Sequence, residues 1–337
     1  MNSYFSTFIT GFSDVVRETL KKQLPDIKID LLLDGLIAYR TEADIPAIQK
    51  IPFFNNSFIL YQSFKGLGDL PFGEMGDWIK TNQIIIPEGL EKTTNFKIIF
   101  SDQNLFAHMN KFLTEKLEQK ICLDTGLSVD RQQGQTEIWL LARREKYGVI
   151  GLRITRHGDY EKILQKGELR PELTYLLSLL SEPSAEDIFL DPFAGSGAIP
   201  LQRASSFDFK EIIVIDNIPD TVIKLRDRLA GSKIKVLQAD ALHLTSIEDN
   251  YVNKIVTDPP WGLSVSRGTD IPQLYQKMLV EFNRILSDGG ILVLLTSRLI
   301  LMEEILVRSK AGFDLVKKIE TLVNGQKATV YKYGHRN

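Results

Sequence analysis

The chain has 337 residues, 43% of them apolar and 25% charged, which excludes a disordered, collagen-like or disulfide-scaffold protein and leaves room for about two domains. Lys plus Arg total 41 and Asp plus Glu 43; the net charge of −2 excludes an obligate polycation but not a local basic patch. The single cysteine, Cys122, cannot close an intrachain disulfide, and with four histidines no metal site is expected. The first ten residues do not read as a signal peptide and no apolar run is long enough to cross a membrane, so a cytoplasmic, monomeric protein is expected.

In chain order, apolar spacing predicts a helix over 15–23, strands over 27–33 and 36–40, a strand over 96–100 and a helix over 105–119. That helix would carry Phe106, Met109, Phe112, Leu113 and Leu117 on one side. Runs 137–142 and 149–155 read as paired strands, an α+β pattern overall, and a boundary is expected between Arg156 and Pro171.

From 187 onward the pattern becomes regular. Strands are predicted over 187–191, 211–216, 233–238, 252–257 and 290–296, alternating with helices from 198, over 219–230, over 271–286 and over 300–310. The helix of 271–286 is expected to stop at Gly289-Gly290. Two final strands, 314–323 and 326–333, flank Asn324-Gly325, the dipeptide of a tight hairpin. The fold class is therefore α/β, a doubly wound parallel sheet ending in an antiparallel hairpin. That ending resembles the class I methyltransferase fold and not a dinucleotide-binding sheet.

Asp191-Pro192-Phe193-Ala194-Gly195-Ser196-Gly197 sits between a strand and a helix, where glycines allow a tight turn and close approach of a ligand. Pro200 occupies the last position of a dinucleotide fingerprint, and no Gly-Lys-Ser/Thr follows. Asp191 would repel a pyrophosphate but suits a ligand bearing an ammonium and a sulfonium, S-adenosylmethionine (SAM). Asp216 ends the next strand, where a carboxylate can accept ribose hydroxyls, and Asp240 follows the third, where it either accepts from an adenine amino group or caps the following turn. Asn217 and Ala241 adjoin these acids and complete the candidate cofactor set.

Asp258-Pro259-Pro260-Trp261 follows the fourth strand. Consecutive prolines fix the backbone and offer carbonyls without N–H donors. A carboxylate and a proline carbonyl together can accept both hydrogens of a planar amino group, and Asp258 can also take its proton. Trp261 offers a face for base stacking, worth about 1–3 kcal/mol.

The two motifs, Asp191–Gly197 and Asp258–Trp261, resemble motifs I and IV of amino-group methyltransferases, whose substrates are exocyclic base amines or a glutamine amide. The release-factor members carry Asn-Pro-Pro-Tyr, from which this chain departs. An ionised Asp258 only accepts hydrogen bonds, and so matches the adjacent donors N1–H and N2 of guanine better than the donor-acceptor edge of adenine. Leu169-Arg170-Pro171-Glu172-Leu173 resembles the segment preceding motif I in THUMP-containing RNA methyltransferases. Residues 96–155 resemble a THUMP domain, and 5–20, with Gly11-Phe12, the ferredoxin-like domain before it. The resemblance implies a ferredoxin-like domain over 1–70, THUMP over 71–156 and a SAM-dependent methyltransferase domain over 157–337. It also implies that Phe193 packs near the cofactor, that THUMP grips tRNA, and that guanosine N2 is methylated.

Arg143, Arg144, Lys146, Arg153, Arg156 and His157 cluster in sequence, and Lys111, Lys116 and Lys120 recur on one predicted helix; each group is either an RNA contact or a solvated charged face. Trp78, Trp139 and Cys122 read as core. The stretch 262–268, with Ser264, Ser266 and Arg267, is expected to be mobile and to close on substrate. Two rivals stand beside the RNA guanine-N2 reading. One is an rRNA or DNA amino-methyltransferase acting on guanine N2 or adenine N6. The other is a non-catalytic RNA-binding protein with a methyltransferase-like fold, against which the intact Asp191, Gly195, Gly197, Asp258 and Trp261 speak.

Overall fold

The computed structural model describes residues 1–87, 90, 93–107, 109–155, 164, 167–262, 270–308 and 312–336. The chain forms two compact units: Met1–Thr7 with Arg17–His157, and Phe8–Val16 with Gly158–Asn337.

The first unit is built on β1 (Asn2–Phe8, its last residue in the second unit), the part of α1 (Ser13–Gln23) from Arg17 onward, β2 (Lys28–Leu33), β3 (Leu36–Thr41), α2 (Ile45–Gln49), β4 (Phe54–Lys65), α3 (Pro71–Thr81), β5 (Asn95–Asp102), β6 (Leu105–Phe106), α4 (Lys111–Thr125), β7 (Ser128–Val129), β8 (Thr136–Ala142) and β9 (Tyr147–Arg153). One nine-stranded sheet runs β2-β3-β1-β4-β9-β8-β5-β6, with β7 beside β5. β4 pairs antiparallel with β9, so the sheet is continuous across residue 70. β5 and β8 are parallel, which requires the crossover that α4 supplies. Phe5 stacks on Phe58 at 4.3 Å, and Leu117 and Ile121 of α4 pack with Phe96, Ile138 and Leu152 of the sheet in a fully buried cluster.

The helix expected over 105–119 begins only at Lys111. Gln103 and Asn104 both adopt positive φ, a turn that folds Leu105–Phe106 back on β5 as a short strand. Asn110 then caps α4 by accepting from the Phe112 N–H at 2.9 Å. Phe106 and Phe112, placed by the helical reading on the buried face, are instead 76% and 66% exposed.

The second unit comprises α5 (Pro171–Leu180), β10 (Ile188–Asp191), α6 (Ala198–Ser206), β11 (Glu211–Asp216), α7 (Pro219–Arg228), β12 (Ile234–Gln238), β13 (Val252–Thr257), α8 (Ile271–Ile285), β14 (Leu286–Thr296), α9 (Leu299–Arg308), β15 (Phe313–Val323) and β16 (Gln326–His335). The sheet order is β12-β11-β10-β13-β14-β16-β15. The first five strands are parallel, and β16 is antiparallel to both β14 and β15. This is the class I methyltransferase arrangement. β10, β11 and the latter part of β14 are buried on both faces, which is why they read as unbroken apolar runs, whereas the edge strand β12 is only partly buried. Asn324 and Gly325, at φ +50° and +80°, make the hairpin between the last two strands.

Gly289-Gly290 do not stop α8. The helix ends at Ile285 and β14 starts at once with Leu286. Pairing shifts from Val252↔Leu286 to Lys254↔Ile291, and the glycines lie in that bulge. A Cβ on Gly290 would stand 2.7 Å from the Ser287 carbonyl oxygen, so the bulge admits no side chain there. At the sheet's outer strand, the Thr321 hydroxyl donates to the Thr10 carbonyl at 2.8 Å. Gly11, at φ +88°, lies so close to β15 that a Cβ would fall 2.0 Å from the Glu320 carbonyl oxygen. The Phe8–Val16 segment thus covers part of an edge that would otherwise expose backbone.

Candidate active site

In a parallel sheet the strands end together on one edge, and ligands bind where the order reverses. Here β10 lies between β11 and β13, and the carboxyl ends of β10, β11 and β13 carry Asp191, Asp216 and Asp258.

Asp191 is 1% exposed. Its Oδ1 accepts from the Thr257 hydroxyl at 2.8 Å and from the Phe193 N–H at 3.2 Å. Its Oδ2 is buried with no partner among the described residues. Burial pushes the carboxyl up to about 7, and the negative charge of Asp216 adds to the rise. A buried, unpaired carboxylate oxygen calls for a cation.

The loop after β10 is held by Ala194 N–H on the Ile215 carbonyl and Gly197 N–H on the Ala194 carbonyl, at 2.9 and 2.7 Å. Gly195 and Gly197 have φ of +50° and +81°, conformations that favour glycine. At Gly197 a Cβ would press on Leu225 at 2.9 Å, whereas at Gly195 it would meet nothing nearer than 4.0 Å, open space above the loop. Asp216 accepts from Gly195 N–H at 3.2 Å and from Ile218 N–H at 2.9 Å, tying the loop to the end of β11. Arg228 of α7 donates to the Ser196 carbonyl and pairs with Glu168, pinning the loop's other side.

The Trp261 indole N–H donates to Asp258 Oδ1 at 2.8 Å, closing the tetrapeptide on itself. Pro259 is buried, while Asp258, Pro260 and Trp261 are half-buried. Burial pushes the Asp258 carboxyl up to about 8; the charge of Asp191 adds to this and the Trp261 hydrogen bond opposes it. The Arg298 guanidinium donates through Nε to the Trp261 carbonyl at 2.5 Å. Asp191, Phe193, Gly195, Gly197, Asp216, Asp258 and Trp261 are thus brought to one sheet edge. Asp240 and Ala241 follow β12, next along it. Asp240 is exposed and accepts from the Leu242 N–H at 3.0 Å, the capping geometry; Ala241 is buried and Asn217 exposed.

The family model for UPF0020, described as an RMKL-like methyltransferase domain, matches residues 159–329. The chain belongs to this family. A tRNA (guanine(6)-N2)-methyltransferase of Thermus thermophilus is 28% identical over 188 residues, 54% of this chain and 56% of that protein. A tRNA (guanine(10)-N2)-dimethyltransferase of Methanothermobacter thermautotrophicus is 30% identical over 183 residues, 50% and 53%. The chain spans about half the length of these curated relatives. The crystal structure of TrmN from Thermus thermophilus superposes with a TM-score of 0.80 at 21% identity, covering 99% of this chain and 100% of that one, a likeness of fold.

For an RMKL-like methyltransferase domain the residues present fit SAM. The orphaned Asp191 oxygen suits an ammonium, the bare Gly195 leaves room for a ligand, and the Asp216 oxygens, each accepting one N–H, retain a lone pair apiece for hydroxyl donors. Sequence reading missed Thr257, Arg228 and Arg298. Thr257 and Arg298 follow the same strand-end logic as the acids, but a hydroxyl or a cation in that place carries no spacing signal of its own.

The basic residues divide differently from their sequence cluster. Arg143 donates to Asn104 Oδ1 and the Asp34 carbonyl at 2.7 and 2.6 Å, bracing two turns. Arg153 pairs with Glu137 at 2.9 Å. Arg144 is exposed. Arg156, His157 and the stretch 263–269, with Ser264, Ser266 and Arg267, lie outside the described residues. Lys111 and Lys120 pair with Glu115 and Asp124, and Lys116 lies 4.2 Å over the Phe112 ring. Trp78, Trp139 and Cys122 are half-buried and pack against the core clusters. Among the described residues no group of three or more His, Cys, Asp or Glu could hold a metal, and no helix is long and apolar enough to cross a membrane.

Proposed function

We propose that the protein methylates the exocyclic N2 amino group of a guanosine in structured RNA, with tRNA as the favoured substrate and SAM as methyl donor. The observation that carries the reading is the pairing of Asp258, locked by Trp261, with the unpartnered Asp191 oxygen and open Gly195 on adjoining strand ends. Membership of a methyltransferase domain family supports the reaction class, and the activities for which the relatives are named support guanine N2 and tRNA.

SAM, when bound, supplies an electrophilic methyl group on a sulfonium. Asp191 holds the ammonium, Asp216 the ribose hydroxyls, and Asp240 with Ala241 borders the adenine; Phe193, Gly195, Gly197 and Asn217 shape the cradle. Asp258, through the oxygen that Trp261 leaves open, and a carbonyl of Pro259 or Pro260 accept the two amino hydrogens. The nitrogen lone pair is thereby aimed at the cofactor edge. Trp261 stacks on the base, which must leave its helix to reach the pocket. Asp258 then stabilises the charge that develops on nitrogen and accepts its proton. The region 1–156, read as ferredoxin-like and THUMP domains, carries RNA recognition, with Arg144 and Lys146 exposed in the basic cluster, and Arg156 and His157 follow in the sequence. An RNA-modifying activity fits a cytoplasmic location.

The raised Asp258 carboxyl favours a second reading. A protonated Asp258 offers one donor and one acceptor, the match for adenine. The positive charge of SAM, when bound, would favour the ionised, guanine-matching form of Asp258. Methyl transfer from labelled SAM to tRNA, rRNA and duplex DNA in parallel, with nucleoside analysis, separates them. N2-methylguanosine in tRNA is expected; N6-methyladenosine, or label confined to DNA, would overturn the substrate assignment.

A further inference from the structure

The described part of the Asp258–Trp261 loop is anchored from outside by one side chain. Arg298 lies two residues beyond β14, the strand next to β13. Its own backbone is fixed: its N–H donates to the Thr296 hydroxyl at 3.0 Å, and that hydroxyl is hydrogen-bonded at 2.7 Å to the buried Tyr275 of α8. From this footing its Nε reaches the Trp261 carbonyl at 2.5 Å. The guanidinium also runs beside Gly262, where a Cβ would stand 3.0 Å from its Nη2 and 2.5 Å from Ile271. Gly262, at φ +71°, thus makes the space the guanidinium occupies. Trp261 is held at both ends, by its indole N–H on Asp258 and by its carbonyl on Arg298. A shift at the carbonyl end therefore moves the indole that orients the carboxylate.

We infer that Arg298 is a positioning residue: through the Trp261 carbonyl it sets the orientation of Trp261 and, by way of the indole, the direction in which Asp258 presents its open oxygen. The inference rests on the assignment of Asp258 as the amino-group acceptor. Arginine suits the task because its planar fork directs Nε at one carbonyl while the charge strengthens the bond. It touches neither the glycine loop nor Asp216 in any described contact, so cofactor binding is independent of it.

The test uses Arg298→Ala and Arg298→Lys in the full chain, each with and without Trp78→Phe/Trp139→Phe, which leaves Trp261 as the sole indole. Four quantities are read: SAM affinity by calorimetry, kcat for RNA methylation, acrylamide quenching of Trp261, and the thermal unfolding midpoint. Arg298→Ala is expected to keep SAM affinity within twofold, to lower kcat by about 30- to 100-fold, the range of a lost orienting contact, and to raise the quenching constant about twofold. Lysine, which keeps charge and donor but not the fork, is expected to recover part of both losses. Unchanged quenching in Arg298→Ala overturns the inference, and so does a parallel loss of SAM affinity and thermal stability, the mark of a merely structural role. If the unsubstituted protein methylates no RNA, the functional reading fails by itself, while quenching still reports whether Arg298 holds Trp261.

Discussion

The two carboxyl groups at the sheet edge to which the proposal assigns the chemistry also carry a measurable cost. Asp191 and Asp258 hold their protons in the folded chain up to about 7 and about 8, against an ordinary value of 3.8. Below about pH 4 both are protonated whether the chain is folded or not, and burial costs nothing. As pH rises toward 8 the unfolded chain loses protons that the folded one keeps, so the ligand-free protein becomes less stable, by up to about 3 kcal/mol for each carboxyl between pH 5 and 8. Urea midpoints across that range should fall, and Asp258→Asn should flatten the decline; a midpoint independent of pH would contradict the burial of these groups. A positively charged cofactor favours the ionised forms. Calorimetry near pH 7 in buffers of different ionisation enthalpy should therefore show proton release on SAM binding, with affinity rising from pH 6 to 8. Asp216→Ala should weaken SAM binding with little effect on stability, since its contacts are two N–H groups at the surface. The Asp258-Pro-Pro-Trp motif was legible because its residue types are rare together. The Trp261–Asp258 bond was not, because nothing in sequence says which way an indole turns.

At the scale of elements, the parallel strands β10, β11 and β13 stand where apolar runs bounded by Asp, Gly and Pro put them. The misreadings share a cause: local turn chemistry overrode apolar periodicity. Gln103 and Asn104 turn the chain back before a helix can begin, and Gly289-Gly290 serve a bulge where a helix stop was expected. β4 was not read as a strand at all. Its burial does not alternate along twelve residues, and its register shifts between Leu60 and Gln62. Glycine substitutions separate backbone need from space. Gly11→Ala forces a Cβ into the Glu320 carbonyl and should cost about 2 kcal/mol or more. Gly195→Ala meets open space but keeps a positive φ, so its stability loss should be nearer 1 kcal/mol, with a larger loss of SAM affinity. Thermal unfolding of the two variants, paired with SAM titration, checks the contrast; equal loss of SAM binding in both would count against the cradle at Gly195.

At the scale of the whole molecule, net charge says little about the partner, because among the described basic residues that cluster in sequence only Arg144 and Lys146 are exposed. Arg143 and Arg153 are spent on Asn104, Asp34 and Glu137, which sequence proximity could not reveal. Arg144 remains exposed, and Arg144→Ala should weaken RNA binding at all sequences alike and lower the salt dependence by about one ion-release unit, read from binding isotherms at several salt concentrations. An unchanged salt slope would remove Arg144 from the RNA surface. Recognition and chemistry meet in the role proposed for Asp258, which is to hold a guanosine N2 amino group of tRNA against the cofactor edge formed by Asp191, Gly195 and Asp216. Its direct test is nucleoside analysis of tRNA after reaction with labelled SAM and either the unsubstituted protein or Asp258→Ala, alongside SAM affinity for each. The expected result is N2-methylguanosine with the first, none with the second, and SAM still bound by the variant, weakened only by the loss of one negative charge; methylation by Asp258→Ala at the unsubstituted rate would contradict the assignment.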